Sequence, residues 1–202
     1  MEMKSYGGFL WPIGDRHAAK VLLNEVRGLD VAMEYVRGRD VCVQAGGNVG
    51  VWPAYLAKTF AEVWTFEPDL ANYLCLLRNI PSGVYPFLAA LGHKPMGVSM
   101  ELSPDNVGAH SLDIMHPGRT PVLTIDELEL QACDLIVLDC EGFEPLIVDG
   151  AADTIRKFKP VLMIEDKDLS RHYGKRQGWP ERDIAGYRVV AKYRNDLILA
   201  PE

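Results

Sequence analysis

The chain predicts an α/β fold: a doubly wound, mostly parallel seven-stranded sheet, closed by a C-terminal antiparallel hairpin and preceded by an N-terminal helical segment. Three observations predict it. Short apolar runs recur at 41–45, 134–138 and 161–165, as in parallel strands buried on both faces. Stretches with helical spacing separate the strands. The first of these strands runs into a glycine-bearing turn and a helix, and the next strand, at 62–66, is followed at once by a carboxylate, Glu67. That last arrangement suits a nucleoside ligand, because a carboxylate at a strand tip can accept both hydroxyls of a ribose.

The elements follow in order. Residues 16–37 carry helical spacing at Ala18, Val21, Leu22 and Val26, broken at Gly28 and resumed at Asp30, a residue suited to an N-cap. They belong to a helical cap over 1–40, on a single domain of 1–202 whose core is 41–202. After the strand at 41–45 come a helix at 51–59, a strand at 62–66 and a helix at 69–79 stopped by Pro81, Ser82 and Gly83. Strands are expected at 84–88 and 97–102. The Pro-, Gly-, Asn- and Ser-rich stretch 103–121 reads as a long loop, a feature that often carries function. Thr124 and Glu127 form the capping box of a short helix. A strand at 134–138, a helix at about 143–157 and a strand at 161–165 continue the alternation. The runs 187–193 and 196–200 are separated by Arg194 and Asn195 alone, which indicates a hairpin.

Composition narrows the function. The 202 residues are 48% apolar and 24% charged, as in an ordinary globular domain. No apolar run approaches the ~20 residues of a membrane span, and the first residues lack the pattern of a signal peptide. The cysteines at 42, 75, 133 and 140 form no CxxC pair, and the histidines show no ligand spacing. Free thiols in a reducing cytoplasm and no metal site are therefore expected. A net charge of −7 argues against broad nucleic-acid binding. The segment 167–194 departs from that balance, with eight basic residues against three acidic ones. It reads as a solvated surface or as a local site for an anionic substrate.

Four blocks, taken together, resemble the FkbM-like family of S-adenosylmethionine-dependent methyltransferases. They are QAGGNVG at 44–50, FEPDLANYLCLLRN at 66–79, AALG at 89–92 and DLIVLDCEGFEPLIVDGA at 134–151, the last followed by PVLMIE at 160–165. The resemblance covers the chain from about residue 40 to 200. It implies a Rossmann-like methyltransferase fold and S-adenosyl-L-methionine as cofactor. Two positions depart from the family pattern: Gln44 stands where a carboxylate usually opens the glycine turn, and Leu138 where a lysine usually precedes the aspartate of the fourth block.

The resemblance assigns the cofactor to Gln44, Ala45, Gly46, Gly47, Asn48, Val49 and Gly50 of the turn, to Glu67 for the ribose, to Pro68, Ala90 and Leu91 beside the adenine, and to Ser111 and Asp139. Asp139, Glu141 and His110 are the first candidates for the chemistry, with His172 and Glu165 behind them, since a hydroxyl acceptor must lose its proton. The implied reaction is O-methylation of a hydroxyl on a sugar-like or other small acceptor. Three alternatives stay open: a phosphorylated or nucleic-acid substrate on 167–194, a cofactor-binding module without turnover, and a nicotinamide enzyme. The last rests on Ala45-x-Gly47-x-x-Gly50, one residue from GxGxxG, and leaves the fourth block without a role.

Overall fold

The computed structural model describes residues 2–103, 106–166, 179–180 and 184–202. The cap begins differently from the expectation. Met3–Tyr6 (β1) and Phe9–Pro12 (β2) form an antiparallel hairpin around Gly7 and Gly8. Only then come the helices Ala18–Glu25 (α1) and Gly28–Met33 (α2). Asp15 caps α1 through the backbone N–H groups of Ala18 and Ala19. Asp30 lies in the first turn of α2, which opens at Gly28, so it is not the N-cap.

The core alternates as the sequence predicts. Val41–Ala45 (β3), Val51–Leu56 (α3), Glu62–Phe66 (β4), Leu70–Asn79 (α4) and Val84–Phe87 (β5) build one half. Ala90–Leu91 (β6), Met96–Glu101 (β7), Ser111–Pro117 (β8) and Thr120–Leu123 (β9) follow. They make a separate four-stranded sheet in the order β6-β9-β7-β8. Within 103–121, Ser111–Pro117 and the start of β9 are thus strand rather than loop: Leu112 and Ile114 alternate with Asp113 and Met115, and the first two pack on the small core of Ala90, Val98 and Val122. Thr124 and Glu127 make the reciprocal bonds of a capping box before a 3-10 turn at Asp126–Leu128. Leu135–Leu138 (β10), Glu144–Asp149 (α5), Ala152–Phe158 (α6), Val161–Glu165 (β11), Tyr187–Tyr193 (β12) and Asp196–Pro201 (β13) complete the chain. The helix expected at 143–157 is broken in two at Gly150.

The main sheet has seven strands in the order β12-β13-β11-β10-β3-β4-β5. It is mixed. Pairs from β11 through β5 are parallel, whereas β13 runs antiparallel to both β11 and β12. Strand alternation divides its side chains between two cores. Val41, Val43, Ile136 and Leu138 face α5 and α6, and Cys42, Leu135 and Val137 face α1, α2 and α3. Each large apolar side chain so buried contributes about 1.5–3 kcal/mol. Trp11 is fully buried in the second core, and Trp179 belongs to the first.

Order reverses between β3 and β10. From β3 the chain steps outward to β4 and β5; from β10 it steps the other way to β11. A crevice opens beyond the carboxyl ends of strands at such a point. The tips that meet there are Ala45 of β3, Glu67 after β4 and Asp139 after β10.

Candidate functional site

Three strand tips form the floor of the crevice. The turn after β3 is tied to β4, because the N–H groups of Gly46 and Gly47 both donate to the Phe66 carbonyl, at 3.0 and 2.9 Å. At these two glycines the crowding comes from the protein. A Cβ on Gly46, whose φ is +84°, would strike the carbonyl oxygen of Asp139, and one on Gly47 would sit 2.6 Å from Thr65 Oγ1. Gln44 is 0% exposed and serves the same turn. Its Nε2 donates to the carbonyls of Ala45 (3.1 Å) and Gly46 (2.8 Å), and its Oε1 accepts from Thr65 Oγ1 at 2.5 Å.

Glu67 is 5% exposed. Its Oε2 accepts from the Asn48 N–H at 2.7 Å and its Oε1 from the Asp69 N–H at 2.8 Å. Asn72 Nδ2 adds a longer contact to Oε1 at 3.5 Å. Helix α4 is capped by Asp69, which accepts from the Asn72 N–H, so Glu67 is not needed as the cap. Burial pushes the Glu67 carboxyl up to about 7, the charge of Asp69 adds to the rise, and the hydrogen bonds it receives oppose it.

The cleft holds about 680 Å³ of empty space, the open solvent at its mouth included. Ala45, Gly46, Asn48, Glu67, Pro68, Ala90, Leu91 and Asp139 line it, as do His110 and Glu141. Gln44, Gly47, Val49, Gly50 and Ser111 do not; they stand behind the wall, and Ser111 starts β8. Leu22, Asn72, Met100, Val107, Leu112 and Phe143 line the cleft too and escape the sequence reading. Asn72 left one signal: a polar residue on the buried stripe that α4 forms with Cys75 and Leu76.

His110 is half-buried, and burial lowers its affinity for a proton. Its Nδ1 accepts from the Ser103 N–H at 2.9 Å. That bond fixes the neutral tautomer, with the proton on Nε2. On the β10 side, Glu144 is almost fully buried and accepts from the N–H groups of Cys140 (2.8 Å) and Gly142 (3.3 Å). It holds a turn in which Glu141 takes φ +51° and Gly142 φ +100°. Burial pushes the Cys140 thiol well above its ordinary value, and the surrounding carboxylates add to the rise. Among the described residues, Asp139, Glu141 and Glu165 each present a carboxylate oxygen within 4.8 Å of the others, a spacing that a divalent cation can bridge.

Most of the basic segment, 167–178 and 181–183, with His172, lies outside the described residues. Arg188 and Lys192 lie on β12, at the sheet edge opposite β5, and Arg194 in the turn that follows. No helix among the described residues is long and apolar enough to cross a membrane.

Comparison with known proteins adds the family. Residues 44–175 match the methyltransferase FkbM domain. No curated protein matches the chain in sequence. Among solved structures, the chain is similar to the methyltransferase FkbM from Methylobacillus flagellatus KT, with 19% identity and a TM-score of 0.51 over 90% of this chain and 52% of that one. The chain thus spans about half the length of that protein. A precorrin 8W decarboxylase from Methanobacterium thermoautotrophicum gives 16% identity and 0.51 over 88% and 90% of the two chains. M. jannaschii TYW2, solved in complex with AdoMet, gives 14% and 0.50 over 99% and 86%. At such identities these likenesses establish the fold. The domain match runs from the glycine turn through Glu67 and the Asp139–Glu144 block, and on that ground the chain belongs to the FkbM family of S-adenosylmethionine-dependent methyltransferases.

Proposed function

We propose that the cleft binds S-adenosylmethionine and that the chain methylates a hydroxyl of a small, sugar-like acceptor. The observation that carries this reading is Glu67: a buried carboxylate at the tip of β4, fixed by two backbone N–H groups and lining the cleft. A carboxylate has about four lone-pair sites. Two are taken by strong bonds, which leaves acceptors for the two hydroxyls of a ribose. Pro68 and Leu91 offer apolar surface for the adenine. The cofactor, when bound, supplies an activated methyl group on a sulfonium.

The remaining work belongs to the chain. Asp139, at the tip of β10, takes the proton of the acceptor hydroxyl. Glu144 holds the turn that presents it. Because Nδ1 of His110 is already accepting, that ring offers Nε2–H as a donor that orients an oxygen in the cleft, and the base is Asp139. Met100, Leu112 and Phe143 keep the cleft apolar and exclude water, which strengthens each polar contact inside it.

Calorimetry tests the reading. The wild type should bind S-adenosylhomocysteine, and Glu67→Ala should weaken binding about hundredfold or more while remaining folded, since two charge-assisted bonds are lost. Equal affinity in the variant overturns it.

A further inference from the structure

Asn72 is a polar side chain where the fold would otherwise place an apolar one. It lies on the buried stripe of α4, is 1% exposed and lines the cleft. Its Nδ2 donates to the Val107 carbonyl at 2.9 Å and approaches Glu67 Oε1 at 3.5 Å. The Val107 carbonyl is a pure acceptor, so chemistry fixes which end of the amide is the NH₂. Oδ1 therefore points elsewhere, and among the described residues no donor reaches it. Buried polar atoms are nearly always satisfied, and an exception calls for a partner.

The same amide touches two parts of the cleft at once. Val107 belongs to the segment between β7 and β8, and its carbonyl also accepts from Asn48 Nδ2 at 3.0 Å. Asn48 in turn donates its backbone N–H to Glu67. Asn48 and Asn72 thus join the Glu67 carboxylate to the Val107 segment of the lining, and the acceptor that remains is Asn72 Oδ1.

We propose that Asn72 is a further ligand-binding residue of this cleft: its Nδ2 positions Glu67 and the Val107 wall, and its Oδ1 accepts a hydrogen bond from a hydroxyl or amino donor of the bound nucleoside. The proposal rests on the cofactor reading above. It gives the nucleoside a second acceptor beside Glu67, one that carries no charge and does not change with pH.

A binding cycle on the full chain tests it. S-adenosylhomocysteine is titrated into the wild type, Asn72→Leu and Asn72→Ala; the alanine variant adds no volume to the buried site. Both substitutions should weaken binding about tenfold. Adenosine, 2′-deoxyadenosine, 3′-deoxyadenosine and purine riboside then compete for the site. One of the three missing donors should cost the wild type about tenfold and the Asn72 variants nothing, because the partner atom is gone. Unchanged S-adenosylhomocysteine affinity in both variants overturns the proposal. So does weaker binding that stays equally sensitive to every missing donor, the mark of a packing role alone. A wild type that binds no S-adenosylhomocysteine overturns the cofactor reading itself, and this proposal with it.

Discussion

Glu67 and Glu144 are near twins in chemistry and opposites in use. Each follows a parallel strand of the sheet's centre, each is buried, each accepts two backbone N–H groups, and burial pushes each carboxyl up to about 7. Glu67 lines the cleft, whereas Glu144 stands behind the turn that carries Asp139 and Glu141. A perturbed carboxyl therefore does not identify the site here. What separates the two is access: Glu67 lines the crevice, and Glu144 does not. On the function proposed above, the β4 side holds the ligand and the β10 side presents the reactive groups.

That division can be broken at several points, the largest first. Asp139→Asn should cut turnover about 10²–10⁴-fold while shifting S-adenosylhomocysteine affinity by less than about tenfold. Rates of methyl transfer to a panel of hydroxylated acceptors, set beside calorimetry, read both numbers. A full-rate variant would move the base elsewhere.

The twins themselves come next. Glu144→Ala strips two N–H groups of their acceptor and should lower stability by roughly 2–5 kcal/mol, with ligand affinity within about threefold of wild type for the material that stays folded. Denaturant titration and calorimetry together check this. An affinity loss as large as that of Glu67→Ala would erase the distinction between the two sides.

Acidity gives a finer test. Both carboxyls sit above their ordinary value of 4.5, so the folded state holds these protons more tightly than the unfolded chain. Their joint effect is a stability greatest below 4.5 that declines as pH rises to about 7 and then levels off. The slope is up to about 1.4 kcal/mol per pH unit for each group. Glu67→Gln and Glu144→Gln should each remove one share of that decline. Ligand affinity should rise through about pH 7 as Glu67 ionises, in the wild type and in Glu144→Gln but not in Glu67→Gln. Denaturation midpoints and calorimetry from about pH 5 to 8 read both trends.

The smallest effect concerns Gln44. Its amide donates to two carbonyls of the turn, so Gln44→Glu would aim a carboxylate at them. A loss of about 1–3 kcal/mol in stability is expected, with no gain in affinity. Tighter cofactor binding in that variant would return position 44 to the cleft wall.

How much of this is legible in the sequence depends on the range of the interaction. Strands β3, β10 and β11 announce themselves because a strand buried on both faces has to be apolar throughout. The position of Glu67 in the cleft is legible because it sits at a strand tip before a capped helix. The hairpin of β1 and β2 carried a clear local signal, Gly7-Gly8 between two apolar-bearing runs, that helical spacing further on overshadowed. In 103–121 the turn-forming residues masked a two-residue alternation at Leu112 and Ile114. Asn72 is a different matter. Its role depends on a carbonyl 35 residues away, and no local pattern encodes that meeting.

The four-stranded sheet has a core of its own in Ala90, Val98 and Val122, yet it lends Met100 and Leu112 to the cleft. The β8 side chains Leu112 and Ile114 also pack against the main core, whereas Met100 on β7 belongs to none of the three cores. Position 100 is therefore where the wall can be redrawn for a bulkier or more polar guest without disturbing the central sheet.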